Sequence, residues 1–518
     1  MWIPFIFQFI TLFLSSVFLV ASSEGLDQRI NDAFMPFAEA WEQLILSEVP
    51  LFGQRIPVVL IILLTGALLF TIYFGFVNIR HFGTALKVVR GDFDTVEKSH
   101  AEAEGISSGE VNHFQALTTA VSGTVGLGNI AMVAVAISIG GPGATFWMIL
   151  AGILGMSSKF VECTLGVAYR DVDANGTVFG GPMYYLSKGL KEIGFSRLGK
   201  VLAITFAILC VGASFGGGNA FQSNQAAAQI IERFDITGPA AGTLIGVIFA
   251  ILSGIVIIGG IKRIAKVTEK VVPFMAILYV GAALFIIFSK IHLIGDVFSE
   301  IITDAFTPKA TIVGGFIGVM IQGFRRAAFS NEAGAGSAAI AHSAVQTQFP
   351  ASEGLVGLLE PFIDTVVVCT ITAIVIVLFN QEGAFVYGDV INGQVLMSDG
   401  SRLGGVNITS LAFENSITGA SYLLVVAVCL FAFSTILSWS YYGLQSWQYL
   451  FGRGKFSGLT YKIFFHCFSV MGGAITLDEV FKFSDAMILA LVFPNMIGLF
   501  FLFPKVKVEF KRYLKLIS

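Results

Sequence analysis

The residues able to do chemistry in this 518-residue chain lie where an apolar solvent would surround them. Lys159 and Glu162 share one hydrophobic run, Glu360 and Asp364 stand one turn apart around Pro361 in another, and Glu332 sits in a third, glycine-rich one. Ionisable groups are costly in hydrocarbon and persist there as partners of one another or along substrate and ion pathways. The i, i+3 spacing of Lys159 and Glu162 predicts a neutralising pair on one helix. Glu360 and Asp364 suit either a gate or a scaffold with Arg325 and Arg326. The six histidines show no metal-ligand spacing and no Ser-His-Asp set is legible. Cys163, Cys210, Cys369, Cys429 and Cys467 are scattered singly, as buried small hydrophobes would be. Catalysis and an organic cofactor are therefore not expected.

Two apolar runs are interrupted. Phe114 to Ile130 places Gly123, Gly126 and Gly128 beside hydroxyls and Asn129; the other run holds Gly314, Gly315 and Gly318, then Gly323 to Ser337 with Ser330 and Asn331. Glycine weakens a helix, and each unwound residue frees N–H and C=O groups that lipid cannot satisfy. Such breaks survive where they line a protein cavity. The alternative is close helix packing of the GxxxG kind.

The elements carrying these breaks follow from composition. The chain is 55% hydrophobic and 13% charged, against about 25% charged in soluble domains. It has 57 glycines, 50 phenylalanines and a mean hydropathy of +0.81. With 31 basic and 34 acidic residues and a net charge of −3, it cannot cover a soluble fold, and it offers no basic patch for nucleic acid. An all-α integral membrane protein, embedded in a lipid bilayer, is the expectation. Eleven segments are long and apolar enough to span, near 56–78, 114–140, 143–169, 199–231, 240–260, 271–289, 311–345, 352–379, 418–441, 460–478 and 484–504. The broken segments are the second and seventh, an odd number apart, so they run oppositely through the membrane, as in an inverted repeat with discontinuous helices. The apolar stretch 1–22 reads as a signal peptide or signal anchor. An acidic segment, 23–55, can form a helix but is too polar to span. Most basic residues fall in alternate loops, for example Arg80, Lys87 and Arg90, then Lys262, Arg263 and Lys266, and finally the tail 505–518. That asymmetry predicts an external N-terminus and a cytoplasmic C-terminus.

Several stretches resemble the sodium:alanine symporter family, the alanine or glycine:cation symporters. They are Thr124-Val-Gly-Leu-Gly-Asn-Ile130, Gly140-Gly-Pro-Gly-Ala-Thr-Phe-Trp147, Gly180-Gly-Pro-Met-Tyr-Tyr185, Phe329-Ser-Asn-Glu-Ala-Gly334, Glu360-Pro-Phe-Ile-Asp-Thr365 and Leu430-Phe-Ala-Phe-Ser-Thr-Ile436. The resemblance implies a LeuT-type (APC superfamily) core of two inverted five-helix repeats, 114–289 and 311–504. The span and loop 56–113 would be peripheral. It implies Na⁺-coupled uptake of a small neutral amino acid, with Na⁺ as the coupling ion, in a bacterial inner membrane. Residues 387–402 stand out as an insertion in an outer loop.

Within that resemblance, unwound N–H groups at Leu127 and Gly128 would receive the substrate carboxylate, aided by the following half-helix. Gln222 and Thr435 would line the pocket, and Ser330 and Asn331 would hold the ammonium side. Na⁺ prefers oxygen ligands. Carbonyls of Ser122, Val125 and Phe431 with the hydroxyls of Ser434 and Thr435 would supply them, the last three sharing one helical face. Ordinary back-bonding inside the helix is the competing reading of Ser434 and Thr435. Trp439, four residues after Thr435, would close the side-chain end of the pocket, or else belong to an interfacial belt with Tyr441, Tyr442 and Trp447. Asn129 would orient the first break. A symporter of another small amino acid, such as serine or glutamine, is the alternative, and a channel lined by the same polar residues is the competing class.

Overall fold

The computed structural model describes residues 26–51, 54–97, 109–307 and 315–518, so the 1–22 signal reading and Gly314 lie outside the described residues. Helices occupy each of the eleven apolar segments. Among the described residues six helices are long and apolar enough to cross a membrane, and seven if His113–Thr124 and Gly128–Gly140 count as one span bent by 49°. Val58–Tyr73 and Ala241–Ile257 are shorter apolar helices. The chain is a multi-pass membrane protein.

The acidic segment forms the helix Leu26–Ile45, which buries Ile30, Phe34 and Ala38. Phe34 meets Phe483 edge-on at 5.0 Å, fixing this helix on the bundle. The first broken helix begins at a capping box in which the Asn112 side chain accepts from the Gln115 N–H and the Gln115 side chain answers. A reciprocal cap of this kind satisfies two orphan donors, and the N-cap side chain alone contributes about 1 kcal/mol. The chain leaves the helix at Val125, resumes through a π-turn at Gly128–Met132, and continues as Val133–Gly140. The second broken helix, Gly315–Asn331, stops at Glu332 and restarts as Ala338–His342. Gly334 and Gly336 adopt φ of +93° and +83° there, conformations that glycine reaches without a Cβ clash.

GxxxG-like packing also occurs, both at Gly323 of the second run, where a Cβ would lie 2.6 Å from the Ala144 carbonyl, and away from the breaks. A Cβ on Gly242 or Gly246 would strike backbone between Ser469 and Gly473, so helices Ala241–Ile257 and Lys455–Ala474 touch along small residues. The helix Ala420–Phe451 runs ten residues beyond the 418–441 expectation. It carries Tyr441 and Tyr442 into the core, 5% and 0% exposed, which corrects their reading as belt residues. The expectation of buried cysteines holds for Cys163, Cys210 and Cys369, whereas Cys429 is half-buried and Cys467 exposed. The 387–402 stretch folds within a three-stranded antiparallel sheet, Phe385–Ile391, Gln394–Met397 and Arg402–Gly404.

Candidate functional site

The first break is held open by a side chain of its own and by one from a neighbouring helix. Its Gly126 N–H donates to Asn129 Oδ1 at 2.9 Å, and its Leu127 N–H donates to Gln222 Oε1 at 3.0 Å. Gln222 is itself fixed by donating to the Gly217 carbonyl at 2.8 Å, in the π-turn Gly216–Ala220 that interrupts the helix Ser196–Arg233. Two donors freed by unwinding thus have acceptors, as an apolar surrounding requires. A Cβ on Gly126 would lie 2.5 Å from Thr435 Oγ1 and 3.1 Å from Gln222 Oε1, so only glycine allows this approach.

The long helix Ala420–Phe451 lies against the break and exchanges hydroxyl bonds with it. Thr435 Oγ1 donates to the Ser122 carbonyl at 2.9 Å, and Ser122 Oγ donates to the Ser434 carbonyl at 2.7 Å. Ser434 Oγ donates to the Phe431 carbonyl at 3.0 Å and contacts Met275 Sδ at 3.4 Å. Ser122, Phe431, Ser434 and Thr435 are therefore brought together, with Val125 at the end of the same half-helix. The Trp439 indole N–H lies 3.2 Å from both the Gly123 carbonyl and Glu332 Oε1. One side chain consequently ties the first break to the second.

Asp364 joins the breaks on another side. Its Oδ1 accepts from Asn129 Nδ2 at 2.6 Å and Ser330 Oγ at 3.1 Å, and its Oδ2 accepts from Thr365 Oγ1 at 2.7 Å. These donors are all neutral, an arrangement in which a carboxylate retains its attraction for a cation. Between the breaks, Gly123, Gly128, Gln222, Ser330, Glu332 and Trp439 enclose a void of about 10 Å³. That is room for no more than one water, so a larger guest must push these walls apart. Asn331 faces elsewhere: it donates to Thr365 Oγ1 at 2.9 Å and lines a crevice beside Leu60, Leu63 and Leu64.

The charged residues pair differently from the sequence expectation. Lys159 Nζ contacts Glu360 Oε1 at 3.1 Å, whereas Glu162 accepts from Asn495 Nδ2 at 2.8 Å. A partner on a facing helix can approach end-on, which a neighbour at i, i+3 cannot always do. Arg326 reaches Asp485 at 3.0 Å, and Arg325 bonds Asp485 and, at 3.1 Å, Glu42. Neither arginine scaffolds Glu360 or Asp364. Asp364 and Glu332, named in the sequence as intramembrane carboxylates without an assigned role, are the two that join the breaks. The signal for both was a carboxylate within a few residues of a glycine break or of a buried proline.

Residues 40–517 match the sodium:alanine symporter family. The sodium/alanine symporter AgcS of Methanococcus maripaludis is 38% identical over 459 residues, 88% of this chain and 94% of the relative. The amino-acid carrier protein AlsT of Bacillus subtilis is 35% identical over 392 residues, 75% of each chain. A Bacillus subtilis protein named "Probable sodium/glutamine symporter GlnT" is 31% identical over 88% of this chain and 87% of its own. Among solved structures, that of MhsT in complex with L-phenylalanine is 15% identical, with a TM-score of 0.46, covering 77% of this chain and 99% of the other. With the match spanning all the elements that build both breaks, the chain belongs to the sodium:alanine symporter family, whose members are transporters and not enzymes.

Proposed function

We propose that this protein is a Na⁺-coupled symporter that imports a small neutral amino acid, alanine or glycine, by alternating access. The observation that carries the reading is the meeting of the two breaks with the long helix through Gln222, Thr435 and Trp439. Leu127 and Gly128 offer backbone donors to a carboxylate once Gln222 yields its bond. Ser330 and Glu332 offer acceptors to an ammonium. Trp439 limits the length of the side chain that fits between them. Ser122, Val125, Phe431, Ser434 and Thr435 supply the oxygens for Na⁺. Asp364, bonded to neutral donors only, adds a second place for a hard cation. Eleven spans, inverted repeats at 114–289 and 311–504, an external N-terminus and residence in a bacterial inner membrane complete the proposal.

Proteoliposomes loaded without Na⁺ test it. Labelled alanine should accumulate against its gradient only when Na⁺ is outside, with competition by glycine exceeding that by glutamine. Stronger competition by glutamine would move the proposal to that substrate. Conductance without Na⁺-driven accumulation would replace symport by a channel.

Thr435→Ala removes the hydroxyl that bonds the Ser122 carbonyl, leaving Ser434 as the nearest hydroxyl of the proposed ion site. The Na⁺ concentration giving half-maximal uptake should rise roughly tenfold, the equivalent of one hydrogen bond to a charged partner. An unchanged Na⁺ dependence at normal expression would remove Thr435 from the ion site.

A further inference from the structure

A row of alternating histidines and carboxylates leads from a surface cavity to the Lys159–Glu360 pair. The cavity, about 290 Å³, is bordered by Arg90, Asp94, Glu97, Asn112, His113 and Gln346. At its floor His113 Nε2 lies 3.7 Å from Glu97 Oε2. His113 Nδ1 is 2.5 Å from Glu353 Oε2, and Glu353 Oε1 is 2.5 Å from His342 Nδ1. His342 Nε2 then faces Glu360 Oε2 at 3.6 Å, and Glu360 Oε1 holds Lys159 Nζ at 3.1 Å. His342, Glu353, Glu360 and Lys159 are wholly buried.

We propose that this row is a proton relay by which the solution at the cavity protonates Glu360 and so releases Lys159. The function it adds is control of the transport cycle by pH at one face. Histidine suits each link, because it accepts on one ring nitrogen and donates from the other. A proton arriving at His113 Nε2 displaces the Nδ1 proton to Glu353 Oε2. The row starts with Glu353 protonated on Oε1: Glu353 passes that proton to His342 Nδ1 as its Oε2 takes the one from His113, and His342 Nε2 gives its own to Glu360 Oε2. The net change is one proton taken from water and one carboxylate neutralised. The gaps of 3.6 and 3.7 Å at the two ends close by small side-chain rotations.

The surroundings make Glu360 a sensible terminus. Lys159 is the cation closest to it, while Glu162, Glu332, Asp364 and Tyr442 also face the pair. Cys163 faces His342, and Arg170 faces Glu353 while donating to the carbonyls of Ser343, Val345 and Thr347. Glu97 accepts from Thr347 and Tyr513, which holds the mouth of the relay in place. His342 ends the short helix that follows the second break, and Lys159 and Glu360 lie on the helices beside it. Neutralising Glu360 therefore loosens the packing under the site that has to open.

The inference rests on the proposed transport only for its readout. Alanine uptake into proteoliposomes at fixed Na⁺ is measured while pH is stepped over several units on one side at a time. The wild type should change several-fold with pH on the cavity side and stay constant with pH on the other. His113→Gln and His342→Gln should flatten that profile while Na⁺ dependence persists. A structural ion-pair row would instead lower expression and leave the profile of the surviving protein unchanged, which overturns the proposal. A wild-type profile flat on both sides overturns it without any variant. If alanine is not carried at any pH, the substrate proposal fails by itself. The relay is then decided by potentiometric titration of the purified protein, in which His342→Gln must take up fewer protons over the same range.

Discussion

Lys159→Met is expected to destabilise the purified protein by about 3–5 kcal/mol, the cost of leaving one member of a buried pair without its partner. Lys159 and Glu360 are both fully buried and lie 3.1 Å apart. Removing the ammonium leaves Glu360 to be protonated or to unfold its surroundings. Adding Glu360→Leu to the same chain should recover most of the loss, because an apolar pair needs no solvation. The measurement is thermal unfolding in detergent for the wild type, the single and the double variant. Equal melting of wild type and Lys159→Met would show that the pair contributes nothing.

Trp439→Ala should reorder substrates more than any other single change in the site. The indole closes the void between the breaks and bonds the Gly123 carbonyl and Glu332 together. Truncating it opens space for leucine or glutamine and strips packing from glycine and alanine, a loss of about 1–3 kcal/mol for the smallest substrates. Relative uptake of the four amino acids by wild type and variant in the same vesicles decides the matter. An unchanged ranking would make Trp439 a brace between the breaks with no part in selection.

Both interruptions were legible because glycine clusters inside apolar runs mark either an unwound backbone or a close helix contact, and neighbouring hydroxyls and amides favour the first. The hydroxyl face of Phe431, Ser434 and Thr435 was legible because its spacing follows the helical period. Ion-pair partners were not. Lys159 has an acid three residues away, yet it pairs with one on another helix, and the choice depends on how two helices are rotated about their axes. Hydropathy carries no such phase. The scaffold option for Arg325 and Arg326 fails for the same reason, since their partner Asp485 sits on the Leu477–Ala490 helix far along the chain. Gln222 was named as a pocket residue, but its bond to the Leu127 N–H depends on the Gly216–Ala220 π-turn, which glycine content alone does not locate.

The cluster of Glu42, Arg325, Arg326 and Asp485 carries a consequence for biogenesis. Asp485 leaves the ribosome 160 residues after Arg325, on the order of ten seconds or more at typical synthesis rates. Until then both guanidiniums lack their shared carboxylate, and Glu42, the first of the four to be made, is the one acid of the cluster on hand for Arg325. The leading helix can hold that arginine provisionally, as a nursemaid contact, until the trailing helices take it over. Truncation at either end should then produce the same defect, stalled insertion and proteolysis, although the two ends lie at opposite extremes of the chain.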